Sequence, residues 1–254
     1  MSTVTIKPDT RFIDLPGINR VEASRPFQWL KKGAADLGYC WLRSLAVGAL
    51  FTLIGWGLIN YAWPRPHLVL TLLSGFLLIS PFLALSFYEQ SRRREAGGGP
   101  WFASARGNWG SIGLFAAGLA FILSSWERVS AILVALFHPG DIVGEQFTLA
   151  GLFAGANSTF LAVYAIAGGA LAVLVFALSV VSLPMMLHRK ADIAHAIVTS
   201  LWTVKENPLA MLIWAAIIVV LTALSFALWL VPMIVVFPLL GHATWHAYRD
   251  LVAD

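Results

Sequence analysis

Apolar residues along this chain are pooled into six long stretches, which are separated by short polar segments. Each stretch is close to the roughly 20 residues that a helix needs to cross about 30 Å of hydrocarbon. The pattern therefore predicts an all-α fold, a polytopic membrane helical bundle with six transmembrane helices. The predicted spans are, approximately, Ser44–Asn60, His67–Tyr88, Ser111–Trp126, Thr159–Leu187, Leu209–Leu230 and Met233–Tyr248.

The last two spans follow each other with almost no polar break, so their separation rests on length. Residues 210–240 would form one helix of roughly 46 Å, which is too long for one crossing and too short for two. Extending the helix to Tyr248 gives about 60 Å, enough for two crossings. We therefore predict a hairpin that turns near Trp229–Pro232.

Composition agrees with a membrane protein, since 59% of the 254 residues are hydrophobic and only 12% are charged. A soluble domain is nearer half apolar and a quarter charged. The chain has a single cysteine, Cys40, which excludes an internal disulfide framework and a cysteine-based metal cluster.

The positive charges indicate the orientation of the predicted spans. Of 17 Lys and Arg residues, only Arg65 and Arg128 fall on one side of the predicted membrane, and the other 15 fall on the side of the termini. The positive-inside rule then places both termini in the cytoplasm. The same rule accounts for the net charge of +4, so nucleic acid is not an expected partner. The Arg92–Arg94 cluster could bind anionic lipid, but a positive-inside anchor is the favoured interpretation.

The chain divides in two by composition. Residues 1–25 are polar and mixed in charge, and we interpret them as a flexible cytoplasmic N-terminal tail. Residues 26–254 form the predicted six-span membrane domain.

Within the membrane domain, three modules are predicted, each an amphipathic segment followed by two spans. A proline stands in the later half of each second span, at Pro81, Pro184 and Pro238. The second module carries an insertion over residues 137–158 on the outer side. Such modules would be related by rotation about the membrane normal. Helical hairpins with basic inner loops also look alike without any repeat, and this alternative stays open.

Amphipathic segments open the first and third modules. Their apolar residues recur at steps of three and four, as expected for helices in the headgroup layer. Asp192 stands where a side chain caps a helix start, and Trp29, Trp101 and Trp202 suit the membrane interface. The two stripes are Phe27, Leu30, Ala34, Leu37 and Trp41, and Ile193, Ile197, Leu201 and Val204.

Four segments of this layout are similar to a known family: SRPFQWLKKGAADL, GFLLISPFLALSFYE, LVFALSVVSLPMML and PLLGHATWHAYRDL. Through them the chain resembles the bacterial predicted integral membrane proteins of domain of unknown function 2189, over about residues 25–252. The resemblance implies a six-span inner-membrane protein without an established activity, and it supplies no catalytic residues.

His242 and His246 lie four residues apart and therefore on one face of the last span. Two imidazoles at this spacing can hold a metal or contribute to a haem site. Alternatively, they lie at the cytoplasmic end of the span and bind phosphates, carbonyl groups or water. No third ligand is obvious, so we expect no metal and no cofactor.

Glu127 and Arg128 interrupt the apolar stretch that ends at Phe137. In one interpretation the span ends at Trp126, the charged pair lies in the outer headgroups and Val129–Phe137 runs along the surface. In the other, one long tilted helix crosses with the pair facing a polar interior. The 16 uncharged residues before Glu127 favour the interfacial interpretation.

Signatures of catalysis and ion transport are absent from the sequence. It contains no GxSxG, HExxH or GxxxxGK[ST] motif, and no other span carries a Lys, Arg, Asp or Glu away from its ends. We expect no catalytic residues. Gly151 and Gly155 form a GxxxG motif, but the pair precedes the predicted span, so its value as a dimerisation motif is low.

These observations favour a non-enzymatic accessory, assembly or scaffold factor. A carrier or flippase for a lipid or apolar solute is the alternative, because interrupted helices often line transport sites. A haem- or metal-binding subunit using His242 and His246 is a third hypothesis. The expected partners are the lipid bilayer and another inner-membrane protein complex.

Overall fold

A computed structural model describes residues 4–6, 15–62, 83–137 and 158–253 of the protein. These residues are almost entirely helical, which confirms the all-α prediction. In chain order the elements are β1 (Val4–Ile6), β2 (Ile18–Arg20), α1 (Arg25–Tyr39), α2 (Trp41–Ala62), α3 (83–95), α4 (Trp109–Phe137), α5 (Ser158–Ser179), α6 (Ser182–His188), α7 (Ile193–Glu206), α8 (Pro208–Ala227) and α9 (Met233–Leu251).

Some predictions concern residues outside these described ranges. They are the larger part of span two with His67 and Pro81, Arg65, most of the outer insertion, and the Gly151 and Gly155 pair.

Four helices among the described residues are long and apolar enough to cross a membrane. They are Trp41–Tyr61, Trp109–Phe137, Ser158–His188 and Pro208–Ala227, and the third combines α5 and α6. In this order they correspond to predicted spans one, three, four and five. The protein is therefore an integral membrane protein with several apolar helices. Helix α9 is not among the four, and the count of six spans and the threefold repeat stay predictions.

The hairpin between α8 and α9 has the predicted position. Helix α8 ends at Ala227, and the chain turns through Trp229 and Leu230, which both adopt positive φ angles. The Leu230 N–H donates to the Ser225 carbonyl at 2.7 Å, which satisfies one of the last carbonyl groups of α8. Helix α9 then begins at Met233.

Helix α4 differs from the favoured prediction, because it does not end at Trp126. It continues unbroken from Trp109 to Phe137. The last two turns form a helix because Val134 packs against Phe160 of α5 in a small apolar cluster. The expectation that Val129–Phe137 is a separate surface segment is therefore wrong.

Helix α1 buries a different face from the one its apolar stripe suggests. The residues packed against the bundle are Pro26, Trp29, Gly33 and Asp36. The stripe that begins at Phe27 is half-buried or exposed, with Phe27 itself 60% exposed. Helix α1 thus packs on the bundle through one face and leaves its apolar stripe largely exposed on another.

Helix α7 repeats this arrangement. Its buried residues are small or polar, as in Thr199, Ser200 and Thr203, whereas Leu201 of the apolar stripe is exposed. The predicted cap is confirmed, because the Asp192 side chain accepts a hydrogen bond from the His195 N–H at 2.8 Å.

The N-terminal segment is partly folded onto the C-terminus. Strand β1 pairs antiparallel with β2, and Leu15 and Ile18 are buried. The Ala253 N–H donates to the Gly17 carbonyl at 2.9 Å, and Ile18 forms a bridge with Val252. These residues of the predicted tail therefore have fixed partners.

A second set of contacts joins the two ends of the chain. The Arg25 guanidinium donates two hydrogen bonds to the Asp250 carboxylate, at 2.9 and 2.8 Å, and the Trp29 indole N–H donates a third at 2.9 Å. The start of α1 and the end of α9 therefore lie at the same end of the bundle.

Candidate functional site

Three glycines allow α9 to approach its neighbours closely. A Cβ atom on Gly33 of α1 would lie 2.7 Å from the Ala243 nitrogen, and one on Gly241 would lie 2.5 Å from the Phe87 ring of α3. A Cβ on Gly48 of α2 would collide with the backbone of α9. Small residues at these crossings bring α1, α2 and α3 against α9.

Where these helices meet, they bury a connected group of polar side chains. Each member is less than a tenth exposed, and each hydrogen bonds to another member. We call this group the polar cluster. It consists of Asp36 from α1, Ser44 from α2, Gln90 and Ser91 from α3, and His242 and His246 from α9.

His242 lies at the centre of the polar cluster, with both ring nitrogens engaged. Its Nε2 lies 2.9 Å from the Ser44 hydroxyl and its Nδ1 lies 2.8 Å from the Ser91 hydroxyl. The ring is fully buried and packs at a tilt against Phe87, with 5.4 Å between centroids. The two hydroxyls therefore fix the orientation of the imidazole.

The donor count around His242 restricts where its protons lie. The Ser44 hydroxyl donates its one proton to Gln90 Oε1 at 2.9 Å, so His242 Nε2 must carry a proton and donate it to Ser44. The Ser91 hydroxyl faces both His242 Nδ1 and the Asp36 carboxylate and can donate to only one of them. The Asp36 carboxylate and His242 Nδ1 therefore compete for one hydroxyl proton.

Asp36 carries the negative charge of the polar cluster. Its carboxylate accepts from the Ser91 hydroxyl and from Arg94 Nη1, and it lies 2.9 Å from His246 Nε2. Burial raises the pKa of this carboxyl, but the hydrogen bonds from His246 and Ser91 outweigh burial. The net pKa of Asp36 is lower than its ordinary value of 3.8.

The polar cluster reaches the protein surface through His246. Its Nδ1 lies 3.5 Å from Glu95 Oε1, and the other oxygen of Glu95 lies 3.4 Å from Arg249 Nε. Glu95 is 37% exposed, whereas Ser44 at the far end is fully buried. A continuous series of polar contacts thus joins the surface to the interior of the helix bundle.

The Ser44 and His242 pair has the spacing of an activated hydroxyl and its base. However, Ser44 is fully buried and its proton is committed to Gln90. The described cavities, of about 730 and 500 Å³, are lined by none of the polar cluster residues. The hydroxyl is thus engaged with two side chains of the protein, and the arrangement suits holding helices together.

His242 and His246 each have protein partners at both ring nitrogens. Both nitrogens of His242 face serines, and those of His246 face Asp36 and Glu95. Within the described residues, no three His, Cys, Asp or Glu side chains are placed to hold a metal ion. The haem or metal hypothesis therefore gains no support from the geometry.

Glu127 and Arg128 lie apart from the polar cluster, in the second half of α4. Arg128 turns back along its own helix and donates to the Ser124 carbonyl and hydroxyl, at 3.0 and 2.7 Å. Eighteen residues separate Trp109 from Glu127, about 27 Å along the helix. If Trp109 lies at one interface, the charged pair lies near the other, as the interfacial interpretation requires.

A second buried carboxylate, Glu89, anchors the loop that follows α3. It is fully buried and accepts two hydrogen bonds from Arg92, at 2.8 and 2.7 Å. This hydrogen bonding raises the pKa of Arg92 above its ordinary value. Glu89 also accepts the Phe102 N–H at 2.8 Å, which stabilises the positive φ of 53° at Phe102.

The fold and the polar cluster define a helical integral membrane protein whose described buried polar side chains are concentrated near one end. Residues 68–188 match the family model described as predicted integral membrane protein (DUF2189). The match confirms the resemblance over these residues, which include the segments GFLLISPFLALSFYE and LVFALSVVSLPMML. No curated protein and no solved structure matches the chain.

Acid is expected to weaken the polar cluster through Asp36. Because folding lowers the pKa of this carboxyl, its stabilising contribution is complete above 3.8 and is lost as the pH falls below that value. Thermal unfolding in detergent between pH 6 and pH 3 should show the loss. The Asp36→Asn variant lacks this titration, so its stability should depend less on pH. Identical pH profiles for the two proteins would contradict the assignment.

Proposed function

We propose that the protein is a non-enzymatic accessory, assembly or scaffold factor of the bacterial inner membrane, which acts through contact with another membrane protein complex. The observation that carries this proposal is the polar cluster. Its side chains are paired with one another. Their hydrogen bonds therefore hold four helices together. This suits a rigid protein that presents a fixed surface to a partner.

The exposed stripe of α1 supplies such a surface. Phe27 and Trp41 are 60% and 58% exposed, although the opposite face of α1 is firmly packed on α9. A helix held rigidly with its apolar stripe outward can meet lipid, a partner helix or both. Rigid presentation lowers the ordering cost of association.

The carrier or flippase alternative has one observation in its favour. A cavity of about 500 Å³ between α4 and α5 has a mostly apolar lining that includes Phe121, Trp126 and Leu174, which suits an acyl chain. Of the three prolines in the predicted second spans, the two that the structure describes do not favour a carrier. Pro184 and Pro238 are both buried in packed helices and do not line this cavity.

The expected partner can be sought by purifying the tagged protein at native expression in mild detergent, with mass spectrometry of whatever co-elutes. We expect a stoichiometric membrane protein complex. The Phe27→Ala variant should retain several-fold less of it, because α1 loses a large exposed apolar side chain of its stripe. Leu212→Ala is the matched control, since Leu212 of α8 is similarly exposed at 66%.

A protein that elutes alone, with inner-membrane complexes intact in a deletion strain, would overturn the proposal. Elution with one defined lipid and no protein would favour the carrier instead. Equal losses for Phe27→Ala and Leu212→Ala would identify the co-eluting protein as nonspecific.

A further inference from the structure

Two arginines at the end of the bundle that holds the termini stack on the same indole ring. The Arg93 guanidinium carbon lies 4.1 Å from the Trp101 ring centroid, and that of Arg43 lies 5.5 Å from it. Arg43 belongs to the first turn of α2, Arg93 to α3 and Trp101 to the loop before α4. Three separate segments thus converge on one aromatic ring.

These two arginines differ from their neighbours in having no acidic partner among the described residues. The carboxylates nearby are already used, because Glu89 binds Arg92 and Asp36 binds Arg94. Arg93 Nε is buried from solvent and has no hydrogen-bond acceptor among the described residues. Two positive charges therefore lie side by side with uncompensated donors, an arrangement that favours an anion.

Trp101 is placed at headgroup depth by the helices beside it. Candidate spans begin at Trp41 and Trp109, within a few residues of Arg43 and Trp101 in the chain. Trp101, Trp41 and Trp109 are 40%, 58% and 47% exposed. Tryptophan at the ends of spans marks the membrane interface, where lipid phosphates lie.

The cluster is also held in place before any ligand binds. Glu89 fixes the backbone at Phe102, the residue after Trp101, and Phe102 packs against Trp109 with 5.5 Å between ring centroids. A guanidinium that stacks on an indole through its face keeps its N–H donors free at its edge. A phosphate can therefore be bound without reorganising the loop.

We propose that Arg43, Arg93 and Trp101 form a binding site for the phosphate diester of an anionic phospholipid. The interfacial depth favours a membrane lipid as the source of this phosphate. The site is independent of the contact function proposed above, because it would bind lipid whether or not a protein partner exists.

The test is native mass spectrometry of the full-length protein in detergent, titrated with phosphatidylglycerol or with phosphatidylcholine. Wild-type protein should retain phosphatidylglycerol in preference to phosphatidylcholine. The R43Q/R93Q variant should lose about tenfold or more of its affinity for phosphatidylglycerol. The Trp101→Leu variant should weaken binding while keeping every charge, and Trp101→Phe should restore most of it.

The matched control is K31Q/K32Q, which removes two exposed positive charges from α1. It should bind phosphatidylglycerol within about twofold of wild type. Equal losses in the two double variants would mean general attraction to basic residues and would overturn the site. If millimolar inorganic phosphate displaces the lipid, the site binds free phosphate and the proposal that its ligand is a lipid is wrong. Thermal unfolding of each variant identifies losses that reflect misfolding, and R43K/R93K then tests the site with the charges retained.

Discussion

Replacing Asp36 with alanine is expected to lower the free energy of unfolding by about 3–5 kcal/mol, the cost of removing one partner from a buried ion pair. The reason is the number of groups that depend on this carboxylate. Arg94, His246 and Ser91 all bond to it, and only Arg94 has ready access to water. In the variant, the buried donors would lose their acceptor and the positive charge would lose its counterion.

The loss can be measured by titrating the purified protein with denaturing detergent and following helix content. Asp192→Ala is the control, because it removes a carboxylate of an exposed helix cap and should cost about 1 kcal/mol. A double-mutant cycle with His246→Ala should show strong coupling, since both substitutions break the same contact. An Asp36→Ala protein as stable as the Asp192→Ala control would show that the polar cluster does not hold the bundle.

Replacing Gly48 with valine is expected to separate α2 from α9, with a cost at or above the 1–3 kcal/mol typical of overpacking. A Cβ at this position would collide with the Ile234 carbonyl oxygen and lie 3.1 Å from Pro238 Cδ. Both obstacles belong to the backbone or to a rigid ring, so rotation of a side chain cannot relieve the clash. The helices themselves would have to move apart.

Gly57 offers a control within the same helix, because a Cβ there meets nothing within 4 Å. Gly57→Val should leave stability nearly unchanged in the same denaturation assay. A Gly48→Val protein that unfolds at the same detergent fraction as Gly57→Val would mean that the α2–α9 crossing is looser than described. Retained stability in both variants would also weaken the case for a rigid presenting body.

Hydropathy and length predicted most of the helices, because a span must be long and apolar wherever it lies in the bundle. The turn at Trp229 followed from the same length argument. Hydropathy was misleading for α1, where the packed face contains Gly33 and Asp36 while the apolar stripe lies outside. Close helix packing in a membrane depends on small and polar residues, which hydropathy does not distinguish from an exposed face.

The partners of the histidine pair were not predictable from spacing. The four-residue step correctly placed His242 and His246 on one helix, but Asp36 lies 210 residues from His246 and Ser44 lies 198 from His242. No local pattern in a single sequence predicts contacts between residues so far apart in the chain. The one available signal was Asp36 itself, an acid placed in line with Trp29 and Gly33 on α1.

The contacts between α1 and α9 also constrain the order of events at the ribosome. Asp36 and Ser44 emerge 210 and 198 residues before their partners His246 and His242. Until α9 arrives, α1 and α2 must keep unpaired polar groups beside or within the lipid, where they are costly. The polar cluster therefore cannot form before α9 is synthesised, and a nascent chain arrested before α9 would be a natural substrate for membrane quality control.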